Sequence, residues 1–318
     1  GGVIIALMAL NKIHIASLGF GEFTTSFLAG LNYGLGFMLI HMLHCTVATK
    51  QPAMTAASFA EQVDSNEGSK AVDNKLAKLL IDVCRSQSVA VFGNVSIAVL
   101  LAAGIAWGYA YTHGQPLLNE AVTAYQLKSI EIFTQPTLWY AAIAGVWLFC
   151  SGIIAGFFDN RSDYLNLRQR LPFNPFLRKI MRPQPRRRLA AYIHKHYGSL
   201  MGNFIFGMLL GMTGYFGHLF GLPLDIRHVA FSSANLGYAA ISGHADISTF
   251  MLGLASVLAI GMVNLVVSFS LALAVALRSR GTRLGSMRNL LKSFWSQVKA
   301  NPLILLYPVQ VNNKDNTK

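Results

Sequence analysis

The stretch GLPLDIRHVAFSSANLGY (Gly221–Tyr238) sets an acid, a base and an imidazole close together, Asp225, Arg227 and His228, ahead of small and hydroxylated residues. His218 precedes it, and His244 and Asp246 follow. A carboxylate–histidine group of this kind binds a divalent cation or relays protons. An Asp225–Arg227 surface pair in an ordinary loop is the plainer alternative. A second set is His41 and His44 in LIHMLHCT, three residues apart and so on one helix face, with Cys45 adjacent. It reads either as a metal or proton site within a membrane bundle, or as two histidines hydrogen-bonded inside it or facing headgroups. A third set is cationic: Arg168, Arg170, Arg178, Lys179, Arg182, Arg186, Arg187 and Arg188. Its chemistry suits phosphates, whether of anionic lipid headgroups or of DNA. None of the three sets names a cofactor or a particular metal.

The elements that position these groups are apolar. The 318 residues are 53% hydrophobic and 12% charged, against about 25% charged in a soluble domain. Five blocks, near residues 23–47, 88–111, 137–158, 200–221 and 247–277, approach or exceed the roughly 20 residues a bilayer requires. A sixth, 1–10, is too short alone and reads as the cut end of a helix in a longer protein. Both ends of the six-crossing bundle then lie on one side. Segments 48–87, 159–199 and 278–318 carry 23 of the 26 Lys and Arg, and the three alternate loops one each. The positive-inside rule makes the first three cytoplasmic. The outer loops then hold His14, His113, His218, Asp225, Arg227, His228, His244 and Asp246. Phe231–Tyr238 has too few apolar residues to span, and a re-entrant segment lining a cavity is one reading of it.

Within the cytoplasmic segments, Gln51–Val63 reads as a short interfacial helix, and Asp64–Ser69 as a turn. The helical spacing of Val72, Leu76, Leu79, Leu80 and Val83 predicts an amphipathic helix lying on the bilayer or packing on the bundle. Prolines 172, 175, 183 and 185 predict an irregular, surface-lying basic segment, with Phe173 and Phe176 at the interface. Five small-xxx-small pairs, Gly30/Gly34, Gly104/Gly108, Gly152/Gly156, Gly207/Gly211 and Gly217/Gly221, argue for close helix packing. Cys45, Cys84 and Cys150 form no C-x-x-C pair, so neither a disulfide frame nor a zinc knuckle is indicated. Walker, H-E-x-x-H, G-x-S-x-G and G-x-G-x-x-G signatures are absent, which counts against simple ATP hydrolysis and metalloprotease chemistry.

NYGLGFMLIHMLHCTVATKQPAMTA (Asn32–Ala56) and GLPLDIRHVAFSSANLGY together resemble a bacterial family of site-specific recombinase transmembrane proteins. The resemblance covers most of the chain and corresponds to the family's C-terminal membrane half. It implies DNA as a partner, together with an N-terminal half of the same protein. Tyrosine recombinases use an H-x-x-R element, and none of the nine histidines has arginine at that spacing. The serine-plus-arginines constellation of serine recombinases is not recognisable either, so the resemblance assigns no catalytic residue. The sequence thus predicts an all-α polytopic bundle, residues 1–318 forming one membrane domain in a bacterial inner membrane. Two functions are open: a transporter or membrane scaffold using the outer polar group, or a DNA recombinase or its membrane anchor using the basic segment.

Overall fold

The computed structural model describes residues 1–45, 56, 61, 69–281 and 287–305. Every regular element among them is helical. Five helices are long and apolar enough to cross a bilayer: α2 (Glu22–Met42), α3 (Ser69–His113), α5 (Thr137–Tyr164), α8 (Pro183–Phe220) and α10 (Ile247–Ser279). The chain is therefore a multi-pass membrane protein with an all-α bundle, as the sequence predicts. Shorter helices are α1 (Gly2–Ser17), α4 (Glu120–Ile130), α6 (Leu167–Arg170), α7 (Pro175–Ile180), α9 (Val229–Ser242) and α11 (Met287–Ala300). The expected interfacial helix Gln51–Val63 and turn Asp64–Ser69 fall largely outside the described residues.

One sequence expectation changes at the basic end of the bundle. The prolines do not leave an irregular segment: Pro175 opens α7, and Pro183 opens α8, which runs unbroken through the arginines into its span. A first-turn proline costs no hydrogen bond, because that N–H has no helical acceptor, and its fixed φ suits the helix. Asn174 caps α7, accepting from the Phe176 and Leu177 amides. The amphipathic stretch near Leu76 is the start of α3. Its Leu76 and Ala77 pack on Leu273 and Leu277 of α10 and on Leu290 of α11. Sequence reading did not anticipate α11, which is tied to α3 by hydrogen bonds from Ser293 and Gln297 to Asn74.

The tightest seam lies between antiparallel α2 and α8. A Cβ on Gly207 would stand 2.1 Å from the Gly34 nitrogen, and one on Gly211 2.3 Å from the Gly30 Cα. The two predicted glycine pairs therefore face each other, backbone on backbone. Without a hydrophobic drive between helices in lipid, such close contact is what holds them. By contrast, Cβ atoms on Gly104, Gly108 and Gly156 would meet nothing within 4 Å.

One segment enters the bundle without crossing it. Gly221, at φ +63°, ends α8, and residues 222–228 run back inward without regular secondary structure. A Cβ on Gly217 would sit 2.3 Å from the Leu224 carbonyl, so only glycine lets the returning strand pass. At His228 the chain turns into α9, which climbs back to the end it came from. There the Leu118 amide donates to Ser242 Oγ. His228 packs against Phe37 and Phe206. At 1.5 Å per residue these lie roughly 20 Å along α2 from Glu22 and along α8 from Phe220. The hairpin tip is thus deep in the bundle, which supports the re-entrant reading.

The glycine seam gives a direct test. Gly207→Leu should lower the thermal midpoint of the detergent-solubilised protein, consistent with an overpacking cost of roughly 1–3 kcal/mol or more. Gly104→Leu should leave it within a degree or two. Equal behaviour of the two variants would show that α2 and α8 do not meet as described.

Candidate functional site: a charged chamber at the tip of the re-entrant hairpin

Non-helical backbone at membrane depth survives only if its polar groups are paired within protein. Asn264 of α10, 2% exposed, does most of this. Its Oδ1 accepts from the Val229 amide at 3.0 Å, and its Nδ2 donates to the Ala141 and Arg227 carbonyls at 2.7 and 3.0 Å. The Arg227 amide donates to the Tyr140 carbonyl at 3.2 Å. Trp139 Nε1 donates to the Pro223 carbonyl at 3.2 Å. Tyr238 of α9 donates its hydroxyl to the Ala6 carbonyl of α1 at 3.0 Å, fixing the returning arm.

This frame presents Asp225, Arg227 and His228 to one chamber of about 110 Å³. Lys12 of α1, Tyr33 of α2, Tyr125, Gln126 and Ser129 of α4, and Asn235 of α9 complete its polar wall. Arg227 is held rigidly. Its Nε donates to the Ser129 carbonyl at 2.6 Å, and its Nη1 to Asp225 Oδ2 at 2.6 Å and the Ile226 carbonyl at 2.7 Å. Its guanidinium carbon lies 5.4 Å from the Tyr140 ring centroid, within cation–π range. Asp225 Oδ1 accepts from the Ile226 amide at 2.8 Å. His228 is 6% exposed, and its Nδ1 has no hydrogen-bond partner among the described residues.

A second cavity of about 70 Å³ touches the other side of this tip. Gln87, Asn94, Asn264 and Ser268 are polar points in a mostly apolar wall. The lining runs along α3 from Val95 to Gln87 and along α10 from Gly261 to Ser268, towards the basic end. His228 is the residue common to both cavities.

The remaining sequence candidates lie elsewhere. His218 Nδ1 stands 2.5 Å from Glu22 Oε2 in an exposed pair. His244 occupies an exposed turn at φ +47°. Asp246 is the N-cap of α10, where hydrogen bonds from Ser248 and Thr249 hold its carboxyl down at about 2. None of the three lines the chamber. His41 pairs across helices with His196 of α8, Nε2 to Nδ1 at 3.1 Å, and His196 stacks on Tyr192. His44 stands just past the end of α2 at φ +55°, its ring 6.3 Å from that of His196. Among the described residues no group of three His, Cys, Asp or Glu is placed to hold a metal ion. The basic set is largely solvent-facing, at Arg168, Arg170, Arg178, Lys179, Arg182, Arg187 and Arg188, whereas Arg186 is half-buried.

Sequence reading missed Lys12, counted only as the one basic residue of its loop, and Asn264. Asn264 did leave a signal: it is an amide within an otherwise apolar span, the kind of residue that marks a buried polar contact.

Five apolar helices around a re-entrant hairpin define a polytopic membrane protein with a polar chamber inside its bundle. A family model for site-specific recombinases matches residues 1–308, and the chain belongs to that site-specific recombinase family. Neither a curated protein nor a solved structure matches it.

Asn264→Leu would leave a buried amide and two carbonyls unpaired, at about 1–3 kcal/mol for each unsatisfied group. Amide exchange across 226–232 should accelerate while α2 and α8 stay protected. Unchanged exchange there would mean that Asn264 does not hold the tip.

Proposed function

We propose that the chain is a solute-transporting protein of a bacterial inner membrane, with its basic segments cytoplasmic and the chamber facing the periplasm. The observation that carries this reading is the pair of cavities meeting at His228, at the tip of a non-crossing hairpin. Broken elements that expose backbone and charge near mid-membrane are how carriers build solute sites between two openings. A scaffold has no use for a desolvated charged chamber, whose charges are costly unless a ligand or partner repays them. The 23-to-3 split of basic residues supports the orientation. In this arrangement Phe173 and Phe176, 69% and 67% exposed, enter the headgroup boundary while Arg170, Arg178 and Lys179 meet anionic lipid.

Family membership favours a second reading, in which the basic residues serve DNA recombination. A recombinase forms a covalent protein–DNA bond. Trapping with denaturant after incubation with duplex DNA should yield no adduct with this chain, and an adduct would replace the transport reading. Neutralising Arg186, Arg187 and Arg188 together should leave transport intact and weaken binding to anionic vesicles.

Chamber access is tested by cysteine chemistry. With Cys45, Cys84 and Cys150 changed to serine, Asn235→Cys in spheroplasts should react with membrane-impermeant thiol reagents added outside. Silence in the membrane, with full reaction after unfolding, would sink the reading of an open chamber.

A further inference from the structure

We infer that the chamber is a site for a compact monovalent anion, a small carboxylate or inorganic oxyanion of about four heavy atoms. This deepens the transport reading and rests on it.

The charges in the wall set the sign. Asp225, the carboxylate of the lining, has both oxygens engaged, one by the Ile226 amide and one by Arg227. It neutralises Arg227 and offers a cation no free oxygen that is not already bonded. Lys12 forms no ion pair within 4 Å among the described residues, so the wall holds one basic side chain more than it holds carboxylates, and a bound anion would stabilise the charged form of that amine. An uncompensated charge in a confined site favours a counter-charge of equal size, hence a monoanion.

The donors are also unspent. Arg227 uses Nε and Nη1, and its Nη2 has no hydrogen-bond partner among the described residues. His228 contributes a buried ring whose Nδ1 has no partner among the described residues and donates in the tautomer that carries its proton there. α9 begins at this ring, with its first turn, Phe231 and Ser232, in the chamber wall. Of its opening amides, that of Val229 is taken by Asn264 and that of Ser232 by the His228 carbonyl. The N-terminus of this 14-residue helix lies between the two cavities, with Val229 and Ala230 lining the second. Lys12 and Arg227 converge on the chamber from α1 and the hairpin, and both prefer an acceptor-rich anion.

Size narrows the class. A cavity of about 150 Å³ takes a benzene ring, so a chamber of about 110 Å³ is filled by formate, nitrate or acetate.

The experiment uses the full chain, free of native cysteines, in membranes. Asn235→Cys reports the chamber and Gln115→Cys, in the exposed loop at the same end, reports bulk access. Each is modified with a sulfonate-bearing and a trimethylammonium-bearing methanethiosulfonate. The anionic-to-cationic rate ratio at position 235 should exceed that at 115 by about tenfold, as a charged cleft concentrates its counter-ion. Sodium acetate or nitrate should slow modification at 235, and gluconate at equal ionic strength should not. Lys12→Gln should abolish both effects, and Lys12→Arg should restore them. The reaction at 115 serves as the folding control for both variants. Equal ratios at the two positions, or a cationic preference at 235, would overturn the anion assignment and leave the open chamber standing. No reaction at 235 with either reagent would overturn the chamber itself.

Discussion

Asn264 carries a donor and an acceptor on one short side chain, and the structure uses both against three backbone groups of two other elements. The need for this comes from Leu222–His228, whose non-helical chain cannot satisfy its own peptide groups as a helix does. In lipid the same groups would each cost several kcal/mol. Tyr140, Trp139 and Asn264 therefore surround the hairpin on the α5 and α10 side, and Ser129 of α4 closes it from the end of the bundle. Everything at the tip, including the direction of Arg227, follows from where those partners stand.

The chamber is a by-product of two short elements among long ones. α9 has 14 residues and α1 has 16, each too few to fill the length that α2, α8 and α10 define. The glycine seam keeps α2 and α8 in backbone contact, and the same kind of small residue, Ala29, Gly211 and Gly214, then lines the void. Large side chains there would fill the space and separate the helices together. Packing and the chamber are thus set by one choice of residue size, and the aromatic ring set of Phe37, Phe206 and Phe231 closes it around His228.

Much of this was legible in the sequence, because bilayer thickness imposes lengths on apolar blocks. The spans, the re-entrant segment and the juxtaposition of Asp225, Arg227 and His228 all follow from local composition. What was not legible depends on pairing between distant segments. His41 meets His196 rather than His44, and Lys12 shares a chamber with Asp225 and Arg227 across more than two hundred residues, which no local spacing encodes. The proline-rich basic stretch misled for a different reason: proline forbids helix interiors but favours first turns, and only the helix start decides between them. His218, His244 and Asp246 share an end of the bundle with the chamber without sharing its interior, a difference of depth that composition does not carry.

The chemistry of the chamber is finally a consequence of backbone class. Asp225 and Arg227, two residues apart in a stretch without regular secondary structure, close a 2.6 Å pair. In a helix the same two residues would diverge by about 200°, at 3.6 residues per turn, and the pair would not close. Gly221 in the left-handed region ends α8, and Pro223 then resists any helical continuation through Leu222. Those two residues keep the next five out of a helix, and their path aims a salt-bridged arginine inward with part of its donor set still free. Lys12 then decides the sign of the surplus charge. A glycine, a proline and one lysine in an apolar helix are enough to turn a greasy bundle into a place for a small anion.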